Sequence, residues 1–325
     1  MGLVPSQRVH ASERTAWVAA PAGVVYGLLA DAVRWPLLLP SYVHVERMDF
    51  DGVRERLRVW DVSEDRVRSF HVRRVLDPHA RTVGFEQEDT ARPGVPTAGV
   101  WTVEALGDTE SLVTLRQERT LEGLPAAESE RSRREWQAEP AEQLAHVKGV
   151  AERWERLDQL LFSFEDSVRV DGPAELVYDF LYRIGDWPER VPHVESVGVV
   201  EDVPGVQLAT VDTCAAPGGR TVTTRSVRLC FPSAARIVDK ELTTSPLIAA
   251  HSGEWSLVPV PDGGGVRVVC ARRVMLREEA VEEVLGAGTD LVEARRYVRT
   301  WLGRAGTETL RLAGWHARSA VRRLR

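Results

Sequence analysis

The sequence predicts an α+β protein of two tandem domains, each a curved antiparallel β-sheet wrapped around a long C-terminal helix with an interior pocket. Residues 21–40 recur as residues 173–192 with eight identities in twenty aligned positions, where about one identity is expected from average residue usage. Each half also shows the same order of patterns, from a short strand and a helix through several alternating segments to a final helical stretch. The chain is therefore predicted to be a duplication of one domain.

In the first half, a strand is predicted over Ser12–Ala19, followed by two short helices, the first of which begins at Pro21 and ends before the Trp35-Pro36 break. Polar and apolar residues then alternate over Val43–Leu121, in runs separated by glycine and proline turn signals. This pattern predicts five or six antiparallel strands. Over Ala126–Phe162 the spacing of the apolar residues becomes helical, which predicts a long closing helix.

The second half shows the same order of elements. A strand is predicted over Ser167–Val170, helices over Pro173–Val191 and strands over Val194–Met275, before a last helix that extends to Leu324. Almost no linker separates the halves. The predicted domains are residues 1–163 and 164–325.

The composition is that of an ordinary globular protein. The chain has 325 residues, 43% of them hydrophobic, and a net charge of −6, which argues against a general nucleic-acid-binding protein. It contains no apolar run long enough to span a membrane and no visible secretory signal, so a cytoplasmic protein is expected. The three cysteines lack CxxC spacing and the eight histidines lack ligand spacing, so neither a disulfide framework nor a metal site is predicted.

Two arginines are candidates for the interior of the two sheets. If Phe70 points inward, the two-residue period of a strand places Arg74 on the same face, and Arg228 is the corresponding residue of the second half. A guanidinium inside a protein costs free energy unless an anionic or strongly polar group accompanies it. The pattern therefore indicates either a polar ligand inside each sheet or arginines that reach solvent at its mouth.

Common catalytic motifs are absent from the sequence, including GxSxG, HExxH and a phosphate-binding glycine loop. His193, which directly follows the repeated segment, is a candidate acid or base, with a surface or capping role as the alternative. Trp101 and Trp255 each lie in the middle of a predicted strand. They are candidates for the core or for a pocket wall.

These residues together resemble a known family. The chain contains, twice, a strand, a Pro-Ala-x-x-Val-Tyr helix, a Trp-Pro pair, a curved sheet with a Gly-x-Trp strand and a long helix. This order resembles the di-domain aromatase/cyclases of bacterial type II (aromatic) polyketide synthases, which belong to the helix-grip (START / Bet v 1-like) superfamily. The resemblance covers nearly the whole chain. It implies an enzyme that closes the first ring of a ketoreduced poly-β-ketone, between carbons 7 and 12, by aldol condensation with loss of water and without a cofactor.

The resemblance also implies partners. The substrate is expected to stay tethered to an acyl carrier protein, and the enzyme to act beside the ketosynthase and the ketoreductase of the synthase. The arginine-rich C-terminal segment suits an acidic carrier protein, with an ordinary solvated helix end as the alternative. Its arginines are Arg311, Arg318, Arg322, Arg323 and Arg325.

For the N-terminal half, the resemblance assigns site residues by position. Single-domain members of the family carry a pocket arginine, preceded by a serine at two residues and a tryptophan at four. Here Arg74 matches the arginine, while Val72 and Phe70 replace the serine and the tryptophan. Tyr42 matches the pocket tyrosine of the family. The remaining predicted pocket residues of this half are Gln87, where the family has a second arginine, and Trp101.

In the C-terminal half, Arg228 and Ser226 match the arginine and the serine, and Thr224 replaces the tryptophan. The tyrosine is lost to Val194, whereas Trp255 keeps the tryptophan of the middle strand. Neither half carries the complete set of pocket residues. The two pockets are therefore expected to differ in their tasks.

The expected mechanism combines a shaped pocket with charge stabilisation. The pocket selects one folded conformer of the chain, and Arg74 or Arg228 stabilises an enolate or alkoxide. Tyr42 is the expected proton-transfer group of the first pocket, and Ser226 or His193 that of the second. Replacing either arginine by alanine is predicted to divert the product to shunt compounds while the fold remains intact. The alternative is a non-catalytic helix-grip carrier of an apolar or lipid-like ligand, which a uniformly apolar interior would favour.

Overall fold

The computed structural model describes residues 9–88, 97–120, 140–214, 221–260 and 265–323. The chain forms two compact units, Met1–Leu157 and Asp158–Arg325. Each unit contains one seven-stranded antiparallel sheet, which confirms the predicted fold class. Within the described residues, no helix is both long and apolar enough to cross a membrane.

In the N-terminal unit, the strand order across the sheet is β1-β7-β6-β5-β4-β3-β2. The first and last strands of the chain segment are therefore neighbours, as expected when one sheet curls around a helix. The strands are β1 (Val9–Val18), β2 (Tyr42–Phe50), β3 (Arg54–Ser63), β4 (Arg66–Asp77), β5 (Thr82–Gln87), β6 (Thr97–Ala105) and β7 (Ser111–Thr120). The helices are α1 (Ala22–Ala30), α2 (Trp35–Leu38) and α3, over residues 140–151.

The C-terminal unit repeats this arrangement, with the strand order β8-β14-β13-β12-β11-β10-β9. The strands are β8 (Leu161–Val170), β9 (Val194–Val203), β10 (Val206–Thr213), β11 (Val222–Phe231), β12 (Arg236–Thr243), β13 (Ile248–Pro259) and β14 (Val266–Leu276). The helices are α5 (Ala174–Tyr182), α6 (Trp187–Arg190), α7 (Val281–Leu285) and α8 (Leu291–Arg323), and α4 (Leu157–Leu160) lies at the division between the units.

The helix predicted over Ala126–Phe162 differs from the structure. In its described part, helix α3 ends at residue 151, a 3-10 turn at Trp154–Arg156 and the short helix α4 follow, and β8 already begins at Leu161; the residues before 140 lie outside the described part. Leu161 pairs with Met275, and β8 stays paired with β14 along its whole length. Backbone pairing with β14 thus overrides the helical spacing of the apolar residues at this point.

The inner face of the C-terminal sheet packs against α8 through two apolar clusters. Near the N-terminal half of the helix, Val298 and Leu302 pack with Val274 and Leu276 of β14. Near its C-terminal half, Leu310 is one of three helix residues in a second cluster with Trp255, Ile237 and Val268. Burial of these side chains holds the helix on the sheet. Polar residues of β11–β14 occupy the inner face between the two clusters.

Candidate functional site

The C-terminal end of α1 is capped by two residues that recur in the second unit. The indole Nε1 of Trp35 donates a hydrogen bond to Leu28 O (3.3 Å). The Nη2 of Arg74 donates to Leu29 O (2.6 Å) and to Ala30 O (3.3 Å). Because the helix ends here, these carbonyls need partners outside it. The two side chains supply those partners, and the guanidinium also favours the negative end of the helix dipole.

Arg74 is also half of a buried ion pair. Its Nη1 lies 2.8 Å from Oε1 of Glu55, and both side chains are fully buried. Arg47 holds the second carboxylate oxygen of Glu55 at 2.8 Å. Burial lowers the pKa of Arg74 to about 10, against the opposing effect of Glu55, so the guanidinium is cationic at neutral pH. Tyr42 lies beside this cluster, with its ring edge-on to that of Trp35 and 5.0 Å between the centroids.

The same two residue types cap α5 in the C-terminal unit. Trp187 Nε1 donates to Phe180 O (3.0 Å). Arg228 donates from Nη2 to Leu181 O (2.5 Å) and from Nη1 to Tyr182 O (3.4 Å). The repeated tryptophan and arginine therefore have one structural task in common, which is to terminate a helix at the edge of the core.

The group that faces Arg228 across the strands is an amide and not a carboxylate. Gln207 pairs with Arg228 as Glu55 pairs with Arg74, and its Oε1 accepts a hydrogen bond of 2.5 Å from Arg228 Nη1. In both units the protein itself engages both terminal nitrogens of the arginine. Contact between a substrate and Arg74 or Arg228 therefore stays a prediction.

The other residues predicted for the N-terminal pocket share the face of the sheet that carries Arg74. Phe70 and Val72 lie on β4, Gln87 is the cross-strand neighbour of Val72, and all three are partly buried. Trp101 is buried on β6. The structure thus brings the predicted residues to one face, and their contact with a ligand stays a prediction.

In the C-terminal unit, Thr224 and Ser226 lie partly buried on the inner face of β11, and Trp255 is buried on β13. His193 is located elsewhere, between α6 and β9. Its Nδ1 is 3.3 Å from Oε2 of Glu308, a half-exposed residue of α8. The proton-transfer role of His193 stays a prediction, and its observed partner is a carboxylate at the surface of the helix.

The inner face of the C-terminal sheet carries an acid–base pair that was missed from the sequence. His251 Nδ1, on β13, lies 2.7 Å from Oε1 of Glu241, on β12. His251 is 4% exposed, and its Nε2 is buried without a hydrogen-bond partner in the described residues. In a neutral imidazole that donates its Nδ1 proton to the carboxylate, Nε2 carries the lone pair. Ser226 lies opposite Glu241 on β11, so a hydroxyl accompanies the pair.

A second polar row lies next to this pair on the same face. It runs from Arg228 on β11 to Asp239 on β12, Gly253 on β13 and Arg272 on β14. A Cβ at Gly253 would come within 2.7 Å of Asp239 Oδ1. The carboxylate of Asp239 therefore lies over the backbone of Gly253, and this close approach requires a glycine.

The N-terminal unit lacks these ionisable groups at the matching positions. An offset of 154 residues relates Val72, Phe85, Gln87 and Thr97 to Ser226, Asp239, Glu241 and His251. At these four positions the C-terminal unit carries two carboxylates and an imidazole, and the N-terminal unit carries none. The acid–base pair of the inner face is therefore specific to the C-terminal unit.

The carboxyl of Asp239 makes the stability of the protein depend on pH. Desolvation raises its pKa above the ordinary 3.8, against the effects of His251, Arg272 and Arg228, while Glu241 adds to the rise. The folded protein therefore holds this proton more tightly than the unfolded chain, so its contribution is present below the ordinary pKa and is lost as pH rises through the raised value. We expect Asp239→Asn to unfold at a higher urea concentration than the wild type at pH 7, with a difference that shrinks toward pH 4.

Asp212 on β10 provides a control of opposite sign. Ser196 Oγ and Thr223 Oγ1 donate hydrogen bonds to its carboxylate (2.5 and 2.6 Å), and they lower its pKa. This stabilisation is present above the ordinary carboxyl pKa and is lost as pH falls, so Asp212→Asn is expected to be less stable than the wild type at pH 7. If Asp239→Asn were less stable than the wild type at pH 7, the inference that desolvation destabilises the carboxylate of Asp239 would be wrong.

The chain is similar in sequence to characterised proteins of one kind. A family model described as polyketide cyclase / dehydrase and lipid transport matches residues 170–296. The granaticin polyketide synthase bifunctional cyclase/dehydratase of Streptomyces violaceoruber is 35% identical over 322 residues, which cover 98% of this chain and 97% of that protein. The actinorhodin polyketide synthase bifunctional cyclase/dehydratase of Streptomyces coelicolor is 34% identical over 320 residues, with 94% and 96% covered.

Two solved structures share the whole architecture. The di-domain ARO/CYC BexL from the BE-7585A biosynthetic pathway has a TM-score of 0.83 at 35% identity, covering 95% of this chain and 98% of that chain. The di-domain ARO/CYC StfQ from the steffimycin biosynthetic pathway has a TM-score of 0.80 at 32% identity, with 95% and 99% covered. These similarities confirm two helix-grip units in tandem.

Proposed function

The chain belongs to the bifunctional polyketide cyclase/dehydratases, and we propose that it joins carbon 7 to carbon 12 of a ketoreduced poly-β-ketone and then dehydrates the new ring. Cyclisation and dehydration are the activities of the family. The proposal adds the ring that is closed, the reduced state of the substrate and the unit that performs the chemistry. We assign that chemistry to the C-terminal unit.

The buried pair of His251 and Glu241 carries this assignment. Aldol closure requires a base that removes a proton from a carbon next to carbonyl groups, and dehydration requires an acid for the departing hydroxyl. The Nε2 of His251 has no partner within the described residues, and a histidine exchanges protons near neutral pH. Glu241 holds the ring in place and stabilises the imidazolium that forms. The sequence places Gln87 at the matching position of the other unit.

Both steps are redox-neutral, so the protein has only to move protons and hold the chain. In the first step, Nε2 takes a proton from the nucleophilic carbon, the new C–C bond forms, and the oxygen of the attacked carbonyl takes up a proton. In the second step, a further proton leaves the adjacent carbon and the hydroxyl departs as water, leaving a C=C bond. Enolisation of the ring ketones completes the aromatic ring when the reduced carbon lies outside it. When the ring contains the reduced carbon, its hydroxyl must also leave as a second water, with a proton lost from a neighbouring ring carbon, before enolisation of the remaining ketone gives the aromatic ring. Positioning of the two carbons supplies much of the rate, because it makes the reaction effectively intramolecular.

The remaining polar groups of this face favour the charge that develops during closure. Ser226, opposite Glu241, is the expected donor to a substrate carbonyl. Arg228 adds positive charge close to that row while its terminal nitrogens bind the end of α5. An enolate or alkoxide is stabilised by such preorganised charge in a desolvated site.

For the N-terminal unit, we propose that it holds the apolar part of the chain. Val72 and Phe85 replace the serine and the aspartate of the other unit, and a predominantly apolar lining suits binding without chemistry. Tyr42, beside the cluster of Arg74, is the group that would transfer protons if the chemistry took place in this unit instead.

The partner in this proposal is an acyl carrier protein that carries the substrate within a synthase. Arg311 and Arg318 are exposed on α8, and Trp315 between them is 63% exposed. This surface suits an acidic partner. The side chains of Arg322, Arg323 and Arg325 lie outside the described residues.

Reconstitution with a minimal synthase and a ketoreductase tests the proposed reaction. With ¹³C-labelled acetate units, we expect NMR of the product to show an aromatic ring closed between carbons 7 and 12, and the synthase without this protein to yield shunt compounds. A ring closed between other carbons would contradict the regiochemistry. An unchanged shunt profile with several chain lengths would favour a carrier of an apolar ligand.

A further inference from the structure

Arg272 is an almost buried arginine with one terminal nitrogen unused. Its Nη1 donates to Leu302 O on α8 (2.8 Å), and its Nε donates to Cys270 Sγ (3.3 Å). The residue is 9% exposed, and Nη2 donates no hydrogen bond within the described part of the chain. A Cβ at Gly306 of α8 would lie 2.7 Å from Nη2. The guanidinium thus packs against α8 at this glycine, and the donors of Nη2 have no hydrogen-bond acceptor among the described residues.

The carboxylate of Asp239 is likewise without a partner. Among the described residues it forms no hydrogen bond and no ion pair, although Arg228 and Arg272 flank it in the same row. A half-buried carboxylate without a hydrogen bond or an ion pair costs free energy of folding. Such a cost at an inner face is typical of a binding site.

Asp239 and Arg272 lie on either side of Gly253, two strands apart in the cross-strand row. Two strand spacings separate their backbones by roughly 10 Å, and the two charged side chains interact electrostatically. A group bound in the gap between them, over Gly253, is therefore placed to reach both side chains. A single group satisfies both side chains if it donates to the carboxylate and accepts from the guanidinium. A hydroxyl does both, whereas a ketone only accepts.

We infer that Asp239 and Arg272 form a subsite that binds a hydroxyl-bearing carbon of the substrate chain. The inference rests on the proposed function, because a ketoreduced poly-β-ketone carries its distinctive hydroxyl among ketones. Anchoring this one carbon fixes the register of the chain relative to His251 on the neighbouring row. The subsite would thus select reduced chains and decide which two carbons meet.

A change at Gly306 tests the subsite without touching either of its polar residues. The new methyl group of Gly306→Ala would displace the guanidinium of Arg272, while alanine is a better helix former than glycine. The probes are a long-chain β-hydroxyketone and the matched β-diketone, both with two methyl groups on the carbon between the oxygen-bearing carbons so that the diketone cannot enolise there, with affinities measured by isothermal titration calorimetry on the full chain. We expect the wild type to bind the hydroxyketone tenfold or more tightly, as is roughly typical of hydrogen bonds to charged groups. Gly306→Ala and Asp239→Asn are expected to bring the ratio near one.

Gly149→Ala is the matched control, since Gly149 is also helical and a Cβ there would meet nothing within 4 Å. Its ligand preference is expected to equal that of the wild type and its thermal stability to be at least that of the wild type, and a cooperative thermal transition of Gly306→Ala shows that this variant is folded when its ligand preference is measured.

Equal binding of both probes by the wild type, which would indicate that only water fills the gap, overturns the inference. An unchanged preference in Gly306→Ala does the same. A preference that disappears in Gly306→Ala supports the subsite even if reconstitution shows no ring closure, and in that case only the proposed reaction fails.

Discussion

A His251→Gln variant is expected to form the aromatic first-ring product roughly 10²–10⁴-fold more slowly than the wild type, the usual contribution of a positioned general base. Glutamine retains a polar group of similar reach, and Glu241 keeps its place on β12. The glutamine side chain has no lone pair that exchanges a proton near neutral pH. Both enolate formation and dehydration therefore lose their proton carrier. The initial rate of product formation in the reconstituted synthase measures the effect.

Three further variants make this result specific. Glu241→Gln is expected to lower the same rate, because an amide stabilises an imidazolium less than a carboxylate does. His146→Gln, at an exposed position of α3, is expected to leave the rate unchanged. A wild-type rate in His251→Gln would remove His251 from the mechanism, and a large loss in His193→Gln would transfer its role to that residue.

An Arg74→Ala variant is expected to lower the free energy of unfolding of the N-terminal unit by about 3–5 kcal/mol, as is typical when one partner of a buried ion pair is removed. The change leaves the fully buried carboxylate of Glu55 with Arg47 alone. It also removes the donor to the carbonyls of Leu29 and Ala30. This expectation replaces the one drawn from sequence, in which the arginine could be removed with the fold intact. Urea denaturation of the full chain, followed by hydrogen exchange of peptides from the N-terminal sheet, measures the loss.

Glu55→Gln is the matched control for this prediction. It introduces at Glu55 the amide that Gln207 provides in the C-terminal unit, where Arg228 is held by neutral acceptors. We therefore expect it to cost distinctly less than Arg74→Ala. A larger loss in Glu55→Gln than in Arg74→Ala would show that the carboxylate, and not the capping of α1, dominates the stability of this cluster.

The repeat and the two-residue alternation predicted most of the fold because both are local properties of the chain. They predicted six or seven strands in the first half and the same order of elements in the second, with helices before Trp35 and before Trp187. They failed at Leu161, where the apolar spacing is helical and yet β8 pairs with β14 along its whole length. The partner strand lies more than a hundred residues away, so no local pattern could reveal that pairing.

The site was predicted less completely for the same reason. Matching of the halves identified Arg74 and Arg228 as inward-facing residues, and they do lie on the inner faces. It missed His251 and Glu241, although Asp239-x-Glu241 and His251-x-Gly253 each place two residues on one face of a strand. The two strands had to be brought into register before these side chains became a pair.

The sequence by itself determined that the chain is a duplicated α+β protein, that each copy keeps a tryptophan and an arginine at matched positions, and that the halves differ in the pocket residues they keep. Periodicity and repetition suffice for these conclusions, because they are read along the chain. Only the tertiary structure decided that the repeated arginines terminate helices, and that His251 meets Glu241 while Asp239 faces Arg272 across Gly253. Hydrogen bonding and burial depend on which strands lie side by side, and that information exists only in the folded sheet.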